Sequence, residues 1–525
     1  MASVASSPRA LPRVGSFPAS FVMPVTIVLG LLAVSLYLRT NSLGESLWMD
    51  EGLSIGIASQ PLFDIPSVLR VDGSPPFYYM LLSVWMDLFG NGPAETQGLS
   101  VAIALVSIPG GLWAGWSLFG RRAGLICAAL CGVNPFLTAY AQETRMYSLM
   151  LVLSLLATAA FLHVFAYGRR GYLPLFFVLL ALMLYTHNWG LFLAAGLVCA
   201  LVPCWYVSEN RRSFWRDAFI GFGGAGLLYL PWVPTLLHQI QHTGAPWLNP
   251  PNFGAPVQIT RNLLGGGTPT VALLLAGGSG IVAVVQRRVD DKERTALIAG
   301  AVTVLATLAV AWLFSQVSPA WTTRYLGVLL GPMLLLGALG LARAGALGLV
   351  ALVIILGIWA IPRSYGLENK SNASDLRKAV VPELQQGDLV VSMQPEQTPL
   401  LAYHLEDLGG APKLKFATPL GAVENERVMD WTDGHQRMLD ATPQRNLEPL
   451  LDSLPQGAHV LLVHPVTSRA DDWDAPWTQL VRRRSAQWGA ALAEDRQFEF
   501  VGAVPPNYRR ATRIGVRGVL YEKTG

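Results

Sequence analysis

Between residues 22 and 361 the chain turns apolar again and again, near 22–39, 97–119, 123–140, 146–167, 172–186, 188–207, 218–233, 269–286, 295–315, 325–342 and 345–361. Crossing a hydrocarbon core of ~30 Å takes roughly 20 apolar residues at a rise of 1.5 Å each, and inside that core every backbone N–H and C=O must find a partner within its own segment. Such runs can only be helices. The chain therefore reads as a polytopic α-helical membrane protein with about eleven spans. Composition agrees: 52% of the 525 residues are hydrophobic and only 14% charged, too little polar surface to cover a soluble globule of this size.

Short positively charged loops stay on the cytoplasmic side, so the arginines orient the chain. With 97–119 as the second span, Arg121-Arg122, Arg169-Arg170, Arg211-Arg212-Arg216, Arg287-Arg288-Lys292-Arg294 and Arg343 all fall on the side of Arg9 and Arg13. The opposite loops hold Asp50-Glu51, Glu143, His187, the 234–268 segment and Trp321. This is the outer face. Parity also decides the apolar stretch 77–89: as a helix it extends only ~20 Å, and counting it as a span would throw every later arginine cluster outside. It reads as a juxtamembrane helix started by Pro75-Pro76, since proline suits the first helical turn. The first outer loop is then long, about 41–96.

Beyond residue 361 the texture changes. Every lysine but Lys292 lies there, acids become frequent, and no further run is long enough to span. The pattern predicts helix over 374–386, strand over 388–393, helix over 398–408, strand over 459–464, helix over 476–494 and strands over 498–504 and 513–521. Alternating helices and β-branched runs predict a small soluble α/β domain, 362–525, with a largely parallel sheet. An odd number of spans puts it on the outer face, where it can cap a site held by the 1–361 membrane domain.

Arg9 and Arg13 before an apolar run resemble a secretory signal, but no small-residue cleavage site closes the run, which reads as an uncleaved anchor. Cys127, Cys131, Cys199 and Cys204 all lie within predicted spans and imply neither a disulfide framework nor a zinc site. A formal charge of +4 makes no case for nucleic acid. Gly265-Gly266-Gly267 lacks the strand and helix that a nucleotide-binding loop needs.

Chemistry points to the outer rim. A carboxylate costs several kcal/mol in hydrocarbon, so mere anchoring gives no reason to hold Asp50-Glu51 where a helix leaves the bilayer. Asp72 follows in the same loop, Glu143, Arg145 and Tyr147 sit at the outer junction of the third and fourth spans, His187 joins the fifth and sixth, and Arg324-Tyr325 opens the tenth. A lipid-linked sugar phosphate places its phosphate at this depth, with its tail in the bilayer and its sugar toward water. Arginine suits the phosphate because its planar fork stays charged and donates in pairs. A carboxylate suits an acceptor hydroxyl, whose proton must leave as oxygen attacks the anomeric carbon.

Each residue also has a plainer reading. Asp50 could cap a helix; Glu51 could be a second base, an acceptor ligand or the partner of Arg70; Asp72 beside Gly73 could be a turn aspartate. Glu143 and Arg145 could brace each other, Arg324 and Tyr325 could anchor a helix end, and His187 could be an ordinary interfacial histidine. The tryptophans, Trp247 in the 234–268 loop among them, could be belt anchors, or that loop could lie over the donor.

Trp48-Met49-Asp50-Glu51, Asp72-Gly73-Ser74-Pro75-Pro76-Phe77-Tyr78-Tyr79, Gln142-Glu143-Thr144-Arg145-Met146-Tyr147 and Arg324-Tyr325, in this order and topology, resemble the GT-C superfamily of glycosyltransferases over roughly 20–345. Within it the chain is similar to the branch of protein O-mannosyltransferases and the lipid A aminoarabinose transferase. The resemblance implies a polyprenyl-phosphate sugar donor, inversion at the anomeric carbon, no divalent metal or other cofactor, and a general base at Asp50. Mannosyltransferases of this type often carry His before the Pro-Pro pair, where this chain has Ser74. The C-terminal α/β domain is similar to the layout of actinobacterial cell-envelope members, including arabinofuranosyltransferases.

The expectation is thus a multi-pass enzyme of the cell membrane, transferring arabinofuranose or mannose to a glycan or other hydroxyl acceptor in cell-wall polysaccharide assembly. The rival reading is a transporter or flippase of a lipid-linked sugar. Such carriers place acids near the midplane, whereas the spans from 97 to 361 contain no Asp, Glu, Lys or Arg away from their ends. A ligand-sensing receptor leaves Asp50-Glu51 unexplained.

Overall fold

The computed structural model describes residues 19–44, 46–257, 263–286, 291–362, 370–467, 469–504 and 515–525; Arg9, Arg13, Arg287, Arg288 and positions 513–514 lie outside the described residues. Each apolar run is helical. Among the described residues six helices are individually long and apolar enough to cross a membrane: Val22–Thr40, Pro93–Phe119, Tyr147–Phe165, Arg211–His242, Gly267–Gln286 and Asp291–Val317. Arg170–Thr186, Gly190–Tyr206, Gly327–Arg343 and Gly345–Trp359 are apolar but shorter.

Two runs depart from their expected bounds. The third breaks into Arg121–Val133 and Pro135–Tyr140, because Asn134 turns to an extended conformation and its side chain accepts from the Leu137 N–H, capping a new helix that opens on proline. The seventh does not stop at residue 233. A tight turn at Leu230–Trp232 leads directly into the helix Val233–His242, since Pro231 and Pro234 each fall in a first turn, where a missing N–H costs nothing.

Tyr147–Phe165 is the central helix, buried along almost its whole length. Gly331 lets Gly327–Arg343 lie directly on it: a Cβ there would meet the Leu155 nitrogen at 2.4 Å. Small residues substitute for hydrophobic driving force where helices pack inside lipid. At one end of the bundle the arginines tie helix ends together. Arg122 donates to the Gly345 carbonyl at 2.5 Å, Arg169 to that of Ser117 at 2.8 Å, Arg170 pairs with Asp217 at 2.5 Å and Arg343 with Glu293 at 2.5 Å.

The opposite end carries the 41–96 segment, which forms α2 (Met49–Ala58), α3 (Ile65–Asp72) and α4 (Phe77–Phe89) between the long helices α1 (Ala19–Thr40) and α5 (Pro93–Phe119). Helix α4 buries Tyr78, Tyr79 and Leu82 while Leu88 and Phe89 stay exposed, the one-sided pattern of a helix lying at a surface.

The C-terminal region builds a six-stranded sheet from β1 (Leu389–Ser392), β2 (Lys415–Thr418), β3 (Gly421–Ala422), β4 (His459–Val466), β5 (Phe498–Val504) and β6 (Gly515–Lys523), in the order β3-β2-β1-β4-β6-β5. It is mixed, not largely parallel. Strand β1 runs parallel to β2 and β4, but β3 returns on β2, and β6 pairs antiparallel with both β4 and β5. The return from β2 to β3 spans only two residues, too few for the crossover that a parallel pair needs, whereas β4 reaches β5 through the helix Pro476–Glu494. Alternation sends Leu389, Val391, Val460 and Leu462 toward Trp488 and Leu492 on one face. Val390, Leu461 and Val463 pack against Leu376, Leu401 and Leu405 on the other. Both faces are covered, giving three layers.

Candidate active site

Helix α2 starts with both acids in its first turn, where unpaired backbone N–H groups favour negative charge. Adjacent residues on a helix point about 100° apart, so the two carboxylates part company. Glu51 turns inward and is fully buried. It pairs with Lys370 at 2.8 Å and accepts from the Gln97 side chain at 3.1 Å, the Thr144 N–H at 3.0 Å and the Trp48 N–H at 3.3 Å. Lys370 also donates to the Gln142 carbonyl at 3.1 Å. The cation of Glu51 is therefore Lys370, not Arg70, which is exposed.

Asp50 turns the other way. Its Oδ2 lies 2.9 Å from Arg324 Nη1 and 3.8 Å from Arg145 Nη2. Arg145 further donates to the Asp50 carbonyl and to Ser54 Oγ, each at 3.1 Å. Both guanidiniums rest on aromatic faces: Arg324 lies 5.5 Å from the centre of the Trp48 ring and Arg145 5.7 Å from that of Tyr147, contacts that hold a cation without neutralising it. Tyr147 and His187 back this layer from inside. The His187 ring is 4.6 Å from that of Tyr325, and its Nδ1 accepts from the Trp189 N–H at 3.1 Å. Burial, with Arg145 and Arg324 adding repulsion, pushes the His187 pKa down to about 3, so the ring is neutral.

Asp72 ends α3 beside Gly73, whose φ of 103° is left-handed and comes without strain only to glycine. The turn is held from outside: Asn188 donates to the Gly73 carbonyl at 3.0 Å and Gln239 to that of Leu69 at 2.8 Å. Burial raises the Asp72 carboxyl to about 6, against a hydrogen bond from Ser74 and the charge of Arg145 that pull it down. Glu143 is buried, and its carbonyl accepts from the Arg145 N–H at 2.7 Å; it belongs to the turn that aims Arg145.

These groups open onto one cavity of about 350 Å³. Asp50, Asp72, Arg145, Arg324 and Tyr325 form its floor, and Glu51, Glu143, Tyr147 and His187 are not among the residues that line it. Its roof was not legible in the sequence beyond the position of one loop. Trp247 and Asn249 reach in from that loop, and Gln394, Glu396, Trp431 and Asp471 from the C-terminal region. Main-chain bonds tie the C-terminal part of the roof to α3, from Trp431 N–H to the Val71 carbonyl at 2.9 Å, and to the 234–268 segment, from Asp433 N–H to the carbonyl of His242 at 2.8 Å and from Trp477 N–H to that of Pro246 at 3.2 Å.

No family model matches the sequence, and no curated protein does. Solved structures do match. ArnT from Cupriavidus metallidurans superposes with a TM-score of 0.58 at 13% identity, covering 96% of this chain and 98% of its own. The mycobacterial arabinofuranosyltransferase AftD gives 0.54 at 13%, covering 97% of this chain and 40% of its own. The archaeal oligosaccharyltransferase AglB from Archaeoglobus fulgidus gives 0.51 at 12%, covering 84% and 69%. All three are GT-C glycosyltransferases. The chain has the GT-C fold. ArnT has also been solved bound to undecaprenyl phosphate and AglB with a dolichol-phosphate.

Within this GT-C frame, Lys370 and Glu396 are what sequence reasoning missed. Lys370 is separated from Glu51 by 319 residues, and Glu396 sits between the strand expected over 388–393 and the helix expected over 398–408, in a stretch given no role. A buried lysine in an otherwise lysine-free partnership leaves no local pattern; the one available signal was that Glu51, in an apolar setting, required a cation.

Proposed function

We propose that this membrane protein is an inverting glycosyltransferase that moves a sugar, arabinofuranose or mannose, from a polyprenyl-phosphate donor to a hydroxyl of a glycan on the outer face of the cell membrane. One observation carries the reading: the Asp50 carboxylate shares a cavity with two arginines drawn from distant turns, 2.9 and 3.8 Å away. The GT-C fold and the lipid phosphates bound by ArnT and AglB support it.

The donor phosphate takes the arginines. As it enters, Arg324 exchanges Asp50 for a phosphate oxygen, which frees the carboxylate to accept a proton. The acceptor hydroxyl loses that proton to Asp50 as its oxygen bonds to the anomeric carbon, and the bond from that carbon to the phosphate oxygen breaks. Arg145 and Arg324 stabilise the charge left on the polyprenyl phosphate, an effect strongest in a site partly shielded from water. Glu51 and Lys370 position α2 without touching substrate. His187, held neutral, adds no third charge to the phosphate site and packs Tyr325 in place.

The arginine-rich helix ends, read as cytoplasmic, support a cavity and a C-terminal region on the outer side. The test is direct: purified protein is incubated with polyprenyl-phosphate arabinose and polyprenyl-phosphate mannose together with a glycan acceptor, and consumption of each donor is followed. Use of one donor with release of free polyprenyl phosphate is expected. Consumption of neither refutes the reading.

A further inference from the structure

The roof of the cavity holds a buried acid that the transfer step does not use. Glu396 is 5% exposed. Its Oε1 accepts from Gln394 Nε2 at 2.7 Å and from Trp477 Nε1 at 3.0 Å, while its Oε2 has no hydrogen-bond partner among the described residues. A buried carboxylate oxygen without a donor is costly and uncommon, and at the wall of a cavity it is a group set for a donor from outside. Trp247 and Trp431 line the same wall with ring centres 4.5 Å apart, and Trp431 packs in turn on Trp477 at 5.0 Å. Aromatic faces beside a hydrogen-bond acceptor match a sugar, which offers C–H surface on one side and hydroxyl donors at its edge.

Charge narrows the class. Both arginines of the cavity lie at the floor beside Asp50. On the roof, Arg469 pairs with Asp472 at 3.2 Å, which leaves Asp471 and Glu396 uncompensated among the described residues that line it. An anionic group brought here meets like charge, a common way to reject the wrong partner.

We infer that the roof is the acceptor subsite, and that it takes a neutral or cationic saccharide, seated on Trp247 and Trp431 with a hydroxyl or ammonium donating to Glu396, and excludes acidic ones. The inference rests on the transferase reading for the word acceptor, but its test does not use a lipid donor.

Full-length protein in nanodiscs is titrated with mannotriose, the chitosan trimer and trigalacturonate, with saturation-transfer NMR and tryptophan fluorescence as readouts. Mannotriose and the chitosan trimer are expected to bind, and trigalacturonate at least tenfold more weakly. Glu396→Gln keeps an amide oxygen for Gln394 and Trp477 but turns the free acceptor into a donor; it is expected to weaken mannotriose at least tenfold with an unchanged melting temperature. Trp247→Ala is expected to do the same. Equal or tighter binding of trigalacturonate, no binding of mannotriose, or full affinity in either variant overturns the inference. If lipid donor is consumed while these titrations fail, only the subsite falls; if the titrations succeed while no donor is consumed, the saccharide site stands and the transferase reading falls.

Discussion

At the scale of single residues, Asp50 and Glu51 are chemically near-identical neighbours that the fold assigns opposite work. Glu51 spends its oxygens on Lys370, Gln97 and backbone N–H groups, whereas Asp50 faces the cavity and meets only the arginines that a phosphate would claim. Asp50→Asn is expected to lower kcat by about 10² to 10⁴-fold, the worth of a positioned general base, with donor binding retained; radiolabelled sugar transfer beside lipid-phosphate binding separates the two. Asp72 makes a prediction about pH. Its carboxyl is held near 6 against an ordinary 3.8, so between those values the native chain keeps a proton that the unfolded chain releases. Stability from this group is present below about pH 4, falls as pH rises through the window, and is level above it. In Asp72→Asn the loss disappears, so the melting temperature of the variant relative to the parent is expected to rise from pH 4 to pH 6 and then stay constant.

At the scale of elements, α2 is packed between the membrane bundle and the C-terminal region. Its glycines press directly on the other body: a Cβ at Gly56 would meet the Arg427 carbonyl oxygen at 2.0 Å, and one at Gly52 the Leu400 Cα at 2.6 Å. Backbone cannot swing aside as a side chain can. Gly56→Ala is therefore expected to tilt α2, lower the melting temperature and cut kcat/KM on the order of 10²-fold, the usual consequence of misplacing a reacting group by about 1 Å. The Glu51–Lys370 pair locks the same helix from its other side. Breaking a buried pair by removing one partner costs about 3–5 kcal/mol, because the remaining charge is stranded, while removing both is far milder. Glu51→Gln and Lys370→Met are each expected to destabilise by about that much, and the double variant to recover most of it in thermal unfolding.

At the scale of the whole molecule, the chain is polarised. Arginines tie one set of helix ends, and the cavity with its roof sits at the other. In sealed cells a membrane-impermeant maleimide is expected to label Asp471→Cys but not Arg211→Cys, above the background of the native cysteines; the reverse pattern would invert the orientation.

What the sequence determined by itself was set by solvent. Lipid demands paired backbone and expels charge, so helices, their order and the collection of Asp50, Arg145 and Arg324 at one rim could be read from apolar length and from where the charges stop. Tertiary structure alone decided the rest. Which of two adjacent acids faces the cavity depends on the rotation of α2, set by a lysine 319 residues away, and the roof of Glu396 and Trp431 exists because surfaces distant in the chain meet. The mixed sheet had the same origin: residue alternation reports which faces are buried, not the direction in which a neighbouring strand runs.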